Sequence, residues 1–167
     1  MKQKGFTLME TMVYIGLFAM LIGGAVVTAY TVFESTGHNQ AKQILQQEGD
    51  FLIGKIEWDL SGVQTIASPP LDFSTSTQSS ILQVAKYDGS SLSISLNGND
   101  MQMQKGIELF LLNNSNVKVS NLVFTREAAS GGGINPESIS ASFTLTATAE
   151  NGMLINQNFT TTKYLRK

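Results

Sequence analysis

The sequence predicts an α+β protein in which one long N-terminal helix, with a transmembrane half and an amphipathic half, packs on an antiparallel β-sheet head. Three observations support this fold class. The 23 residues Thr11–Phe33 contain no ionisable acid or base. Apolar residues then recur at helical spacing from Glu34 to about Ile66. Later segments alternate apolar with polar residues, which is typical of strands with one buried face.

The first segment is long enough to cross a membrane. Because a helix rises about 1.5 Å per residue, Thr11–Phe33 would span about 34 Å, against about 30 Å for a hydrocarbon core. Lys2 and Lys4 precede the segment, so the positive-inside rule leaves them in the cytoplasm and places the C-terminal part outside. Glu10 is the one charge between Lys4 and Glu34. A carboxylate at the edge of a membrane segment is costly and needs a partner.

The residues before Glu10 form a specific motif. The stretch Lys4-Gly5-Phe6-Thr7-Leu8-Met9-Glu10 joins a short basic leader, a Gly-Phe pair, a spaced glutamate and a long apolar run. It resembles the processing site of type IV pilins and type II secretion pseudopilins. The resemblance implies that a prepilin peptidase/N-methyltransferase cleaves between Gly5 and Phe6 and methylates the new amine of Phe6. It also implies that Glu10, the fifth residue of the mature chain, supports assembly.

The implied role of Glu10 agrees with simple electrostatics. After cleavage, the Phe6 amine of one subunit and the Glu10 carboxylate of its neighbour can neutralise each other in an apolar setting. Removing one partner of a buried ion pair costs roughly 3–5 kcal/mol. The alternative is that Glu10 extends to the cytoplasmic headgroups and has no role in assembly.

Three glycines lie in the same predicted helix: Gly16, Gly23 and Gly24. Small residues let neighbouring helices approach closely in lipid. Members of the resembled family often carry a proline near the position that Val27 occupies here. Gly23 and Gly24 are therefore predicted to act in its place as the soft point of the helix.

The chain is predicted to divide into four segments. These are a cleaved leader (1–5), the transmembrane half of the helix (6–33), its amphipathic half (34–67) and an antiparallel β head (68–167). Ser68-Pro69-Pro70 is expected to end the helix. The Gln47–Leu60 stretch is similar to J-type pseudopilins and related minor pilins.

One face of the amphipathic half is predicted to be buried and the other solvated. The apolar positions are Leu45, Leu52, Ile56, Leu60 and Val63. The acids predicted to lie on the solvated face are Glu48, Asp50, Glu57 and Asp59. Gly37, Gly49 and Gly54 weaken the helix, so its stability is expected to come from packing on a sheet.

The later segments predict strand pairings. Near Asn151-Gly152, a two-residue turn would set apolar against polar residues, so a three-residue loop, Asn151–Met153, is predicted, with Gly152 or Met153 strained. The predicted partners are Leu145 with Phe159, Ala149 with Ile155 and, around Asp88-Gly89, Val84 with Ile94. A slip in the alternation predicts a bulge near Ser120-Asn121. Ala129–Pro136 is predicted to be a flexible connection.

Composition argues against several other functions. The chain has no cysteine, which excludes disulfides and thiolate metal sites, and its net charge of −2 gives no field that would attract nucleic acid. His38 is the single histidine, and no Gly-x-Ser-x-Gly turn accompanies it. Asn97–Asp100 lacks the acidic spacing of a calcium loop, and Gly131–Gly133 lacks the lysine of a phosphate loop. No catalytic residue, cofactor or metal is predicted.

The sequence thus favours a non-enzymatic filament subunit, a minor pilin or a pseudopilin. Its expected partners are the processing peptidase, other pilin or pseudopilin subunits, an inner-membrane assembly platform and, before assembly, membrane lipid. It would cross the inner membrane once, with its C-terminal domain outside, and then enter a filament at the cell surface. Two alternatives remain open: an anchored extracytoplasmic binding domain that never polymerises, and a domain secreted after cleavage near Val27-Thr28-Ala29.

Overall fold

The computed structural model describes residues 7–73, 75–129, 136–149 and 152–165. The chain divides into two compact units, Met1–Asn39 and Gln40–Lys167. Helix α1 (Leu8–Asp59) is followed by the strands β1 (Val63–Ser68), β2 (Thr77–Ser79), β3 (Leu82–Lys86), β4 (Ser91–Asn97), β5 (Asp100–Lys105), β6 (Glu108–Leu111), β7 (Val117–Glu127), β8 (Ser138–Thr148) and β9 (Leu154–Tyr164). The predicted α+β class, a long N-terminal helix followed by antiparallel strands, is confirmed.

The strands form two antiparallel sheets rather than one. The first has five strands in the order β1-β3-β4-β5-β6, and the second has four in the order β2-β7-β8-β9. One hydrophobic cluster joins both sheets to the part of α1 that lies in the second unit. The buried apolar positions are Ala41, Leu45, Leu52 and Ile56 on α1 and Leu60 directly after its end. Their spacing puts them on a single face, as the sequence predicted for four of them.

At Gly49, α1 lies directly against the four-stranded sheet. A Cβ atom added there would overlap ring atoms of Phe159. The Phe159 ring therefore packs on the bare helix backbone, and its other neighbour is the Phe143 ring, stacked at 5.6 Å between centroids. This contact shows why a residue that weakens a helix is kept within it.

Replacing Gly49 with Ala tests this contact. The new methyl group would displace Phe159, so we expect the free energy of unfolding to fall by about 1–3 kcal/mol. This loss would occur although alanine favours helix by about 1 kcal/mol. Denaturant unfolding of the full chain in detergent, followed by circular dichroism, measures the change.

Gly54→Ala is the matched control on the same helix. No atom lies within 4 Å of a Cβ at Gly54, so this variant should be more stable by up to about 1 kcal/mol. If Gly49→Ala were as stable as Gly54→Ala, the proposed packing would be wrong.

Two predicted surface acids on α1 help to hold the helix against the sheets. Glu57 Oε1 accepts a hydrogen bond of 2.6 Å from the Thr161 hydroxyl. Glu48 Oε1 accepts one from the backbone N–H of Asn114. Each carboxylate is half-buried rather than fully solvated. These hydrogen bonds at the edge of the apolar face therefore help to fix the orientation of the helix against its neighbours.

The predicted end of the helix is wrong. The apolar spacing suggested helix to about Ile66 and a stop at Ser68–Pro70, but α1 ends at Asp59. Gly62 has a φ of 68°, a left-handed conformation that glycine adopts without strain. Val63–Ser68 is the strand β1. The amphipathic half of the helix thus stops well before residue 67, because Gly62 turns the chain into a sheet.

Asp59 is the acid that differs most from the predicted solvated face. Its side chain is fully buried, and neither carboxylate oxygen has a hydrogen-bond partner among the residues that the structure describes. The Lys86 Nζ atom lies 4.0 Å from Asp59 Oδ1 and also 4.0 Å from the centroid of the Trp58 ring. Burial raises the pKa of Asp59 above its ordinary value, although Lys86, Lys55 and Lys105 oppose the rise.

This shift predicts a pH-dependent effect of Asp59→Asn. The raised pKa means that the native state binds the Asp59 proton more tightly than the unfolded chain, so its contribution to stability is present below pH 3.8 and is lost as pH rises through the native pKa. We therefore expect Asp59→Asn to gain stability relative to wild type as pH increases from 4 to 7. Denaturant midpoints at both pH values measure the gain.

Lys86→Met sharpens the test, because it removes the nearest cation that opposes the rise. In that background the gain from Asp59→Asn between pH 4 and pH 7 should be larger. A gain that stays the same at both pH values in both backgrounds would contradict the assignment.

Two predicted hairpin registers are each wrong by two residues. The sequence favoured Leu145 opposite Phe159 and Val84 opposite Ile94. The observed pairs are Phe143 with Phe159, Ala147 with Ile155, Leu82 with Ile94 and Val84 with Leu92.

Each bonded pair encloses three residues of sequence, starting one residue earlier than expected, and in the second hairpin Glu150 and Asn151 lie outside the described residues. The closing backbone hydrogen bonds join the ends of Lys86–Ser90, at 2.9 Å, and of Ala149–Met153, at 2.8 Å. The last loop residues, Gly89 and Gly152, have φ values of 81° and 80°. A three-residue hairpin needs a left-handed residue at its end, so glycine fixes the register. The face that each strand buries is unchanged, because a shift of two residues preserves it.

The predicted bulge in β7 is confirmed. Ser120 pairs with Thr144 and Val123 with Ser142, so β7 has one extra residue between these positions. Asn121 there has a φ of 53°. The extra residue lets both Val119 and Leu122 face the core.

Arg126 joins the two sheets in a buried network that the sequence analysis did not identify. Its Nε and Nη2 atoms donate to Glu137 Oε1 at 2.8 and 2.6 Å. Its Nη1 atom donates to the carbonyls of Ile66 and Pro69, each at 3.0 Å. The alternation of β7 placed Arg126 on the same face as buried Phe124, which was the available signal.

Candidate assembly segment

Thr7 caps the N-terminus of α1. Its carbonyl accepts hydrogen bonds from the N–H groups of Glu10 (3.1 Å) and Thr11 (3.2 Å). Its hydroxyl oxygen accepts a longer bond of 3.4 Å from the Glu10 N–H. Threonine followed three residues later by glutamate is the sequence signature of a capping box. The helix therefore begins at the residues of the motif itself.

Glu10 lies in the first turn of α1, where a negative charge interacts favourably with the positive end of the helix dipole. Its carboxylate is exposed. Among the described residues, the donor that reaches it is the Tyr14 hydroxyl, one turn further along, at 3.5 Å from Oε1. The carboxylate is thus oriented by the helix and still open to a cation outside the chain.

The surface that follows Glu10 is apolar on all sides. The helix contains an 18-residue window with a mean hydropathy of 2.1, none of it buried, and is long and apolar enough to cross a membrane. The exposed large side chains before Glu34 are Leu8, Met9, Met12, Val13, Tyr14, Ile15, Leu17, Phe18, Met20, Leu21, Ile22, Val26, Val27, Tyr30, Val32 and Phe33. A surface of this extent requires a lipid or protein environment.

The threonine hydroxyls in this surface are satisfied within the helix. Thr11 donates to the Thr7 carbonyl at 3.0 Å, and Thr28 donates to the Gly24 carbonyl at 2.9 Å. Thr31 donates to the Thr28 carbonyl at 2.8 Å. Hydroxyl groups paired in this way do not need water, which makes the segment compatible with an apolar environment.

In the described part of the chain, nothing outside their own helix backbone packs on the glycines of this segment. A Cβ atom at Gly16, Gly23 or Gly24 would meet nothing within 4 Å. Helix α1 continues through all three positions. The predicted soft point at Gly23 and Gly24 therefore stays a prediction. Gly5 and Phe6, the predicted cleavage and methylation residues, lie outside the described residues.

The other residues weighed in the sequence have simple structural settings. His38 lies in α1. Asn97 pairs with Asp100 across a two-residue turn that starts with Gly98, whose φ is 63°. No group of three or more His, Asp or Glu side chains that could hold a metal occurs within residues 7–73, 75–129, 136–149 and 152–165. The predicted connection at Ala129–Pro136 lies mostly outside these ranges.

The segment contains one feature that the sequence analysis missed. Thr7 caps the helix by accepting the backbone N–H of Glu10, whereas the Glu10 carboxylate accepts from the Tyr14 hydroxyl. The signal was present in the spacing of Thr7 and Glu10. Tyr14, placed one turn after Glu10, was equally visible as a neighbour at i+4.

Comparison with known proteins places this segment in context. Residues 1–26 match the family model described as the prokaryotic N-terminal methylation motif. The chain matches none of the curated proteins and none of the solved structures with which it was compared. The matched residues include the predicted cleavage position, Glu10 and the start of the apolar surface. The chain therefore carries the prepilin-type N-terminal methylation motif that is the hallmark of type IV pilins and pseudopilins.

Proposed function

We propose that this chain is a structural, non-enzymatic subunit of a type IV pilus or pseudopilus. In this proposal the chain is cleaved between Gly5 and Phe6, methylated on Phe6 and assembled through its N-terminal helix. The observation that carries the proposal is the methylation motif at residues 1–26, continuous with a helix surface that is apolar on every side.

The exposed surface of the first unit supports assembly on energetic grounds. Burial of apolar surface contributes about 25 cal/mol per Å². In the membrane, lipid already covers this apolar surface, so its transfer onto sibling helices has no hydrophobic driving force. Association must instead be favoured by close packing between the helices and by polar pairing. Gly16, Gly23 and Gly24 leave open space for such close approach.

Glu10 supplies the polar pairing in this proposal. Its carboxylate is exposed at the first turn of an apolar helix. Cleavage after Gly5 creates a cationic amine at Phe6, four residues before Glu10 in the mature chain. The amine of one subunit would neutralise the Glu10 carboxylate of the next, which sets the register between the two helices.

The finer assignments belong to the same proposal. We infer that the chain is a minor pilin or a J-type-like pseudopilin, because Gln47–Leu60 is similar to that group. Before assembly it would cross the inner membrane once, with the head outside the cytoplasm. Its partners would be the processing peptidase, other subunits and the assembly platform, and the filament would lie at the cell surface.

N-terminal mass analysis of the mature protein tests the processing step. We expect the chain to begin with N-methylated Phe6. An intact Met1 would instead support a plain membrane anchor with an extracytoplasmic binding domain. A start near Tyr30 would support secretion after signal-peptide cleavage. Either of these two results contradicts the proposal.

Replacing Glu10 tests the assembly step separately. Glu10→Ala and Glu10→Gln should be cleaved and methylated like the wild type. Their incorporation into purified filaments should fall on the order of tenfold or more, because the Phe6 amine loses its partner. Glu10→Gln keeps the side-chain shape, so its loss would identify the charge as the cause. Quantitative blotting of filament and membrane fractions measures incorporation.

Glu34→Ala is the matched control, because Glu34 is the next exposed acid on the same helix. This variant should assemble normally. Equal incorporation of wild type and both Glu10 variants would refute the pairing, even if Phe6 proved to be methylated.

A further inference from the structure

Strand β6 is the edge of the five-stranded sheet. It pairs with β5 on one side, and the described residues place no strand on its other side. A two-residue turn, Gly106-Ile107, joins the two strands, with Lys105 opposite Glu108. All four residues of β6 are exposed. The hydrogen-bonding capacity of this edge is therefore open.

The register shows which backbone groups point outward. Leu112 continues the pairing of β6, and its N–H donates to the Met101 carbonyl at 2.8 Å. Bonded and non-bonded pairs alternate along an antiparallel ladder. The residues bonded to β5 are thus Glu108, Phe110 and Leu112. The N–H and C=O groups of Leu109 and Leu111 point away from the sheet.

The side chains at the same positions are aliphatic and exposed. Met101 and Met103 of β5 face the core, so their partners on β6 face inward and the alternate residues face outward. Ile107 is fully exposed, Leu109 is 58% exposed and Leu111 is 63% exposed. We call these three residues the Ile107–Leu111 edge. It presents free backbone groups and an apolar row together.

Each of the other sheet edges carries a feature that discourages pairing, whereas the four-residue strand β6 has a regular register and an uncharged outward row. Strand β1 has two register shifts, and β2 has three residues. In the middle of β9, Asn156, Asn158 and Thr160 are exposed and polar. Bulges, shortness and polar side chains are the usual means of blunting an edge. The Ile107–Leu111 edge keeps a regular register and bears no charge on its outward row.

We propose that the Ile107–Leu111 edge binds a second copy of this chain, with the two β6 strands pairing antiparallel. In a register centred on Leu109, Ile107 lies opposite Leu111 of the second copy and Leu109 lies opposite its own equivalent. Every outward aliphatic side chain then meets another. Glu108 lies opposite Phe110, so no like charges are opposed.

A second copy is the occupant that the chemistry favours. Pairing of β6 with the polar β9 edge would set leucines against Asn and Thr. A two-fold β6 pair is instead self-complementary and closed, and it joins two five-stranded sheets into one. The inference goes beyond the proposed function, since it uses no residue of the methylation motif.

The absence of cysteine from the sequence allows a direct cross-linking test. Opposed residues in a bonded antiparallel pair have Cα atoms about 5.5 Å apart, within the range of a disulfide. We expect the full chain with Leu109→Cys, in detergent and under mild oxidation, to form a disulfide dimer at least fivefold faster than Thr160→Cys. Thr160 is an exposed position on β9, so association of the N-terminal helices affects both variants alike.

Two additional variants test register and cause. A mixture of Ile107→Cys and Leu111→Cys chains should give the mixed disulfide in excess over either homodimer. Leu111→Lys, added to Leu109→Cys, should reduce dimer formation at least fivefold, because it sets lysine in the apolar row. Equal rates for Leu109→Cys and Thr160→Cys, or no effect of Leu111→Lys, would overturn the proposal.

A photo-reactive side chain at position 109 in native membranes identifies the occupant. An adduct of twice the chain mass supports the second copy. An adduct of another mass, with a different protein, overturns it.

Discussion

The contact between the Phe159 ring and the backbone of Gly49 sets how closely α1 lies against the four-stranded sheet. A helix bearing Gly49 and Gly54 is intrinsically weak, since each glycine costs about 1 kcal/mol relative to alanine. Direct ring-to-backbone packing compensates at Gly49 and, through the stacked Phe143 ring, carries the contact into β8. The burial of the apolar face of α1 and the hydrogen bonds at the edge of that face both depend on this close contact. The second half of α1 is therefore stabilised by its tertiary contacts more than by its own sequence.

What the sequence predicted, and what it missed, separates along physical lines. Buried positions recur at the period of a helix or a strand, so apolar spacing predicted the fold class, the buried face of α1 and the bulge at Ser120-Asn121. Backbone conformation has no such period. Gly62, Gly89 and Gly152 each take a left-handed φ. Gly62 therefore ends the helix, and Gly89 and Gly152 each set a hairpin register that differs by two residues from the predicted one. A shift of two residues leaves burial unchanged, so the apolar pattern could not detect it.

Buried charge was the second thing that spacing could not predict. Asp59 was assigned to the solvated face because it is an acid on a helix, yet the turn at Gly62 brings Lys86 and the sheet over it. Arg126 lies on the inward row of β7, where the pattern alone would place an apolar side chain. Both depend on partners distant in sequence. The methylation motif is the opposite case: it is local, so Glu10 was found without a fold, while the helix cap that the Thr7 hydroxyl makes with the Glu10 backbone N–H became clear only from the fold.

The two units present different kinds of unsatisfied surface. In the described part of the first unit, helix hydrogen bonds satisfy the backbone beyond the first turn, and the segment before Glu34 exposes apolar side chains with the Glu10 carboxylate at its start. Association there must be led by side-chain packing and charge, both of which a single substitution can alter. In the second, the Ile107–Leu111 edge leaves backbone N–H and C=O groups open, which substitutions other than proline leave in place. An edge of that kind is held in check only by charge, shortness or irregularity. The four-residue strand β6 is short, but its register is regular and its outward row bears no charge, and this is the physical reason to regard it as a binding surface in its own right, independent of the N-terminal helix.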